Sequence, residues 1–97
     1  MDWFVYIIEC SDKTLYTGIS SKPLERFAMH QKGRGAKYTK GRGPLALKYL
    51  TKTGSKNEAL MLEHKIKQLP RSKKLSLINL ENLQTTKFKN ELHWEEP

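Results

Sequence analysis

Apolar residues recur along this chain in two rhythms, and the change from one to the other separates strands from helices. The segment Trp3 to Glu9 carries the unbroken run Trp3-Phe4-Val5-Tyr6-Ile7-Ile8, and Leu15 to Ile19 is a second short run rich in aromatic and β-branched residues. Both read as strands, and the polar link Ser11-Asp12-Lys13 between them is what a hairpin requires. Pairing Tyr6 with Tyr16 centres the loop on Ser11 and puts the two phenols on one face, roughly 5 Å apart at Cβ.

Ser20 and Ser21 then offer a cap, Pro23 suits a first helical turn, and Leu24, Phe27, Ala28 and Gln31 follow at helical spacing, predicting a helix from about Lys22 to Gln31. On that wheel Arg26 and His30 lie one turn apart on the polar side. Lys32 to Pro44 holds four glycines, five basic residues and no acid, so it reads as a loop too flexible to form core. Ala46 to Leu50 reads as a third strand, with Thr51 to Gly54 turning out of it. Ser55-Lys56-Asn57-Glu58 is a capping-box pattern, and Ala59, Leu62, Ile66 and Leu69 carry a helix to Pro70. A further helix is predicted over Ser72 to Leu80. Beyond Glu81 the periodicity fades, leaving Phe88 and Trp94 as large anchors. The order is β-β-α-β-α-α, with residues 1–80 as one domain and 81–97 as a C-terminal tail.

Charge gives this outline a partner. The 97 residues carry 18 Lys and Arg against 10 Asp and Glu, for a net +8. From Lys22 to Lys56 there are ten basic residues and one acid, so the excess sits in the middle third and favours a polyanion such as nucleic acid, with an acidic membrane surface as the alternative. No apolar run approaches the ~20 residues of a membrane helix, and no basic segment with an apolar secretory core opens the chain. A single cysteine, Cys10, suits a reducing cytoplasm and reads as a small core or strand-end residue.

Each candidate residue has a structural reading beside a functional one. Tyr6 and Tyr16 suit aromatic cross-strand packing as well as a grip on one small substrate group, Arg26 and His30 suit a solvated helix face, and Glu63 suits an ion pair with Lys67. Yet Glu63 falls about 40° from Ala59 on its helix wheel, at the edge of the apolar stripe, where a carboxylate needs a task or a partner.

In their order along the chain these residues resemble the GIY-YIG nuclease family, and within it the small stand-alone YhbQ-type proteins. Phe4-Val5-Tyr6 matches the first motif with Phe4 in place of glycine, and Tyr16-Thr17-Gly18 matches the second with Thr17 in place of isoleucine. Arg26-x-x-x-His30, the basic loop ending in Gly41-Arg42-Gly43-Pro44, and Ala59-x-x-x-Glu63-x-x-x-Lys67 complete a resemblance spanning Trp3 to Ile78. It implies an α+β fold, a three-stranded antiparallel sheet flanked by helices, and a one-metal endonuclease site on the sheet's face. Tyr6 would position or activate the attacking water, Tyr16 would assist it or hold the phosphate, and Arg26 would bind the phosphate. His30 would support them as a proton acceptor or phosphate contact, and Glu63 would be the protein ligand of one Mg²⁺ or Mn²⁺.

One carboxylate with waters and phosphate suffices for such an ion, whereas a phenol near pKa 10 is only about 0.1% ionised at pH 7 and otherwise orients water. Lys32, Arg34, Lys37, Tyr38, Lys40 and Arg42 are the expected nucleic-acid contacts, through phosphate tracking and base stacking. DNA is favoured over RNA. With no second domain for deep sequence readout, selectivity for DNA structure, or a protein partner for targeting, is expected. The competing reading is a nucleic-acid-binding module that keeps the fold without the chemistry.

Overall fold

The computed structural model describes residues 2–94; the end of the predicted tail, 95–97, lies outside the described residues. Three strands, β1 (Trp3–Glu9), β2 (Leu15–Ser20) and β3 (Ala46–Thr53), form an antiparallel sheet in the order β2-β1-β3. Four helices accompany it: α1 (Pro23–Gln31), α2 (Lys56–Gln68), α3 (Arg71–Leu80) and α4 (Asn82–Glu91). The chain is thus the expected α+β protein with one helix more than the sequence pattern predicts.

The central position of β1 explains its unbroken apolar run, because Phe4 to Ile8 are buried on both faces of the sheet. Phe4, Tyr6 and Ile8 meet Phe27, Leu47, Leu50 and Phe88 on one side, while Val5 and Ile7 meet Tyr49, Ala59 and Ile66 on the other. A bulge keeps β3 in step with both: Ile7 pairs with Tyr49 but Ile8 with Leu47, so Lys48 is left over and Leu47 joins Leu50 on the Tyr6 side. Cys10 is buried at the end of this cluster, as a small core residue.

β3 runs on through Thr51 and Lys52 to Thr53, where the sequence predicts a turn. The reason is β1 itself, whose first residues Trp3, Phe4 and Val5 pair with Thr53, Lys52 and Thr51, and the Thr53 hydroxyl donates to Trp3 O at 3.2 Å. The cap of α2 is as predicted: Ser55 Oγ accepts from Glu58 N at 3.2 Å, and Glu58 reaches back to Gly54 N at 3.4 Å.

Helix α4 occupies the first part of the predicted tail and lies against β3. Its Thr85 Oγ1 accepts the backbone N–H of Leu50 at 3.1 Å, and its Phe88 meets Phe4 edge-on with ring centroids 6.4 Å apart. Among the described residues no helix is long and apolar enough to cross a membrane. Phe88 is 8% exposed, so Phe88→Ala is expected to cost about 3–5 kcal/mol. Urea unfolding measures this, and a loss below about 1 kcal/mol would mean that α4 does not close the core.

Candidate active site

The hairpin register decides where the tyrosines stand. The register expected from a loop centred on Ser11 is replaced by one centred on Asp12: Tyr6 lies opposite Gly18, and Tyr16 lies opposite Ile8. Asp12 fixes this loop by accepting from Thr14 N at 3.2 Å and Thr14 Oγ1 at 2.6 Å, with Lys13 in the left-handed region at φ 71°. A shift of two residues preserves the face, so Tyr6 and Tyr16 remain neighbours, diagonally rather than directly paired, with centroids 6.5 Å apart. The glycine gains a purpose from this register. A Cβ on Gly18 would stand 2.5 Å from the Tyr6 hydroxyl oxygen, so the bare backbone there makes room for the phenol.

Helix α1 turns toward this pair differently from its sequence wheel. Pro23, Phe27 and His30 are its buried residues, whereas Leu24, expected in the core stripe, is 41% exposed. His30, expected on the polar side, is 1% exposed. Its burial is possible because both ring nitrogens have partners: Nε2 is 3.0 Å from the Tyr6 hydroxyl and Nδ1 is 2.9 Å from Thr39 Oγ1. Tyr16 also packs on the imidazole, at 5.2 Å between centroids.

The segment 32–44 is therefore far from a loose loop. Thr39 is buried, its hydroxyl lies 3.2 Å from Ala36 O, and Gly35 presses so closely on the His30 ring that a Cβ there would overlap it. Arg26 donates to Gly35 O at 2.8 Å, and the Gln31 amide bonds both Leu45 N and Leu45 O at 3.3 Å. At its far end Ser11 N donates to Arg42 O at 2.8 Å, which ties the loop to the hairpin.

Charge and burial set the protonation of the site. Desolvation, reinforced by the neighbouring Tyr16 and opposed by the Arg26 guanidinium, pushes the Tyr6 phenol up to about 12. Burial, and then Arg26, push His30 down to about 4. Both groups are consequently neutral at pH 7, with the proton on the phenol.

Glu63 stands on α2, its side chain 18% exposed, in an ion pair with Lys67 at 3.3 Å. It is near enough to Tyr6 to contribute to the rise in the phenol's pKa, though as the smallest of the causes. Among the described residues no group of three or more His, Cys, Asp or Glu could hold a metal. A single hard carboxylate whose charge reaches Tyr6 does fit an ion that completes its shell with waters and phosphate, with Lys67 as the group to be displaced.

A model of the GIY-YIG catalytic domain matches residues 2–76. The chain belongs to the GIY-YIG family. Among similar GIY-YIG chains, a UPF0213 protein of Oceanobacillus iheyensis is 49% identical over 78 residues, covering 80% of this chain and 91% of its own. The UPF0213 protein YhbQ of Salmonella arizonae is 37% identical, covering 92% and 97%. The solution NMR structure of a UPF0213 protein from Bacillus halodurans is 43% identical with a TM-score of 0.57, over 84% of this chain and 86% of that one. GIY-YIG membership places the chain in a family of nucleases that act on nucleic acid and generally use a divalent metal, whereas the name UPF0213 states no activity.

The expected site residues Tyr6, Tyr16, Arg26 and His30 come together on the face of the sheet under α1, whereas Glu63 stands on α2, which packs against the other face. Of the loop residues, Lys32, Arg34, Lys37 and Lys40 enter no ion pair among the described residues, and Arg34, Lys37 and Lys40 line a shallow hollow with Gly33, Gly35 and Ala36. Tyr38 and Arg42 are already engaged: Tyr38 packs on Tyr16 at 5.7 Å, Arg42 lies 4.6 Å over Tyr38, and Arg42 pairs with Asp12 at 3.2 Å. Sequence reasoning missed Thr39 and Gly35, which touch His30 from 9 and 5 positions away. The spacing of Pro23, Phe27 and His30 was the available sign that His30 turns inward.

The depressed His30 value carries a stability consequence. The unfolded chain takes up a proton on this side chain near pH 6.5, which the folded protein refuses until about pH 4. Stability is therefore expected to fall as pH drops through that window, by about 2–3 kcal/mol from this group. Urea unfolding of the wild type and His30→Asn between pH 4 and 7 checks it, since the variant should lose that component of the pH slope; parallel curves would contradict it.

Proposed function

We propose that the protein is an endonuclease that hydrolyses phosphodiester bonds of DNA with one Mg²⁺ or Mn²⁺, selecting DNA by structure or through a protein partner. The observation that carries this reading is the convergence of Tyr6, Tyr16, Arg26 and His30 on one face, with Glu63, on the helix packed against the other face, close enough for its charge to act on the Tyr6 phenol. Glu63 would hold the ion, which when bound supplies positive charge to the non-bridging phosphate oxygens. Arg26 keeps donors for the phosphate beyond the one spent on Gly35 O, so it would bind the charge that builds up in the transition state.

Tyr6 would place the attacking water. Its hydroxyl, 3.0 Å from His30 Nε2, would give its proton to that nitrogen, which would leave an oxygen lone pair to accept from water and aim it at phosphorus. As the new P–O bond forms and the opposite P–O bond breaks, the water's proton would pass to Tyr6 oxygen while the phenol's own proton moves to His30, and the departing oxygen would take a proton from solvent, to which His30 later returns its own. Tyr16 would hold the scissile phosphate. Lys32, Arg34, Lys37 and Lys40 would follow the DNA backbone, while Tyr38 and Arg42 would shape the loop that presents them. With its single thiol buried, we assign the protein to the reducing cytoplasm.

The Glu63–Lys67 ion pair favours a second reading, in which Lys67 permanently neutralises the carboxylate and the protein binds nucleic acid without cutting it. A panel of single-stranded, duplex, flap and nicked DNA, each with Mg²⁺, Mn²⁺ or a chelator, separates the two. Cleavage that needs the ion and falls by at least about 10²-fold in folded Glu63→Ala and Arg26→Ala proteins is the expected result. Salt-sensitive binding with no cleavage in any lane would establish the second reading, and undiminished cleavage by Glu63→Ala would sink the assigned mechanism.

A further inference from the structure

Thr39 is the polar residue of the basic loop that the protein buries, at 1% exposure, against a ring that is itself 1% exposed. A threonine hydroxyl has one proton to give, and Ala36 O lies 3.2 Å from it as an acceptor. Once that proton is spent, Thr39 Oγ1 can only accept from His30 Nδ1, 2.9 Å away. A neutral imidazole carries a single N–H, so placing it on Nδ1 leaves Nε2 bare toward the Tyr6 hydroxyl at 3.0 Å. The surroundings of Tyr6 agree with this direction. The Arg26 guanidinium beside it has donors but no acceptor, which suits a phenol oxygen that accepts from the Arg26 side and gives its proton to His30.

From this geometry we infer that Thr39 is a positioning residue, which holds His30 in the Nδ1–H tautomer and so makes Nε2 the acceptor for the Tyr6 proton. The inference rests on the nuclease reading for its catalytic consequence, though its structural content is independent of it. Gly35 assists by fixing the ring plane from behind. The basic loop thereby acts twice: its cations offer contacts to a polyanion, and its buried face sets the hydrogen-bond polarity of the site. Outer partners that orient a functional imidazole in this way are typically worth about 10- to 100-fold in activity.

The test is long-range ¹H–¹⁵N NMR of histidine-labelled protein at about pH 7.5, well above the His30 transition, with the DNA cleavage assay run on the same samples. In the wild type, His30 is expected as the Nδ1–H tautomer. In Thr39→Val it is expected to shift toward Nε2–H, with kcat down about 10- to 100-fold and KM changed less than about 3-fold, and Thr39→Ser should restore both. A wild-type His30 protonated on Nε2 would overturn the inference, as would a folded Thr39→Val protein that keeps the Nδ1–H tautomer. Should Thr39→Val fail to fold, the wild-type spectrum decides. Should the wild type cut none of the DNA substrates, the tautomer still judges the role of Thr39, and the missing cleavage counts against the nuclease reading alone.

Discussion

A buried imidazole hydrogen-bonded through both nitrogens joins the three parts of this protein on which the site depends. His30 comes from α1, its Nε2 partner Tyr6 from the central strand, and its Nδ1 partner Thr39 from the basic loop. Left without either bond, the ring would bury an unsatisfied polar atom, at a cost of about 1–3 kcal/mol. That penalty makes the three segments mutually dependent: the helix can bury this face only where the strand offers a phenol and the loop offers a hydroxyl. Two glycines allow the approach, Gly18 by leaving space for the phenol and Gly35 by letting the loop backbone lie on the ring.

The sheet supplies the rigidity that such a small site requires. β1 is central and buried on both faces, so the position of Tyr6 is fixed by packing against α4 and β3 as well as by its hydrogen bond. The bulge at Lys48 matters for the same reason, since it returns Leu47 to the face that supports Tyr6. A slip of one residue in the hairpin would turn Tyr6 and Tyr16 to opposite faces; the slip of two that separates the observed register from the sequence-based one changes their pairing but preserves the site.

What could be read from the sequence follows the range of the interactions involved. The strands, the capped start of α2 and the stop at Pro70 depend on neighbours a few residues away, and these were legible. The hairpin centre was not, because Ser11 and Asp12 are both good turn residues and the choice rests on bonds from Asp12 to Thr14. His30 reads as solvent-facing because an imidazole ranks as polar, and its burial depends on partners 24 and 9 positions away. The glycines and charges of the loop conceal Thr39 as a buried residue and say nothing of Leu45 at its end. Helix α4 escaped for a simpler reason, since it buries just Thr85 and Phe88, too few for a periodic stripe. Glu63 shows the opposite case: its place at the edge of a stripe was visible, and so was the lysine it pairs with.

The protonation pattern constrains how these residues can act together. With the phenol pushed up to about 12 and the imidazole pushed down to about 4, moving the proton from Tyr6 to His30 in the resting site is uphill. A preformed phenolate is therefore not the resting state, and the pair has no reason to ionise in solvent of ordinary pH. On the nuclease reading, the proton can move only as the attacking water gives up its own, when the phenol oxygen gains one proton while losing another and never carries a full negative charge. Such a coupled transfer demands a hydrogen-bond chain with one fixed direction. That requirement explains why a residue as remote from phosphate as Thr39 should matter to the chemistry: it sets the direction from the far side of the ring.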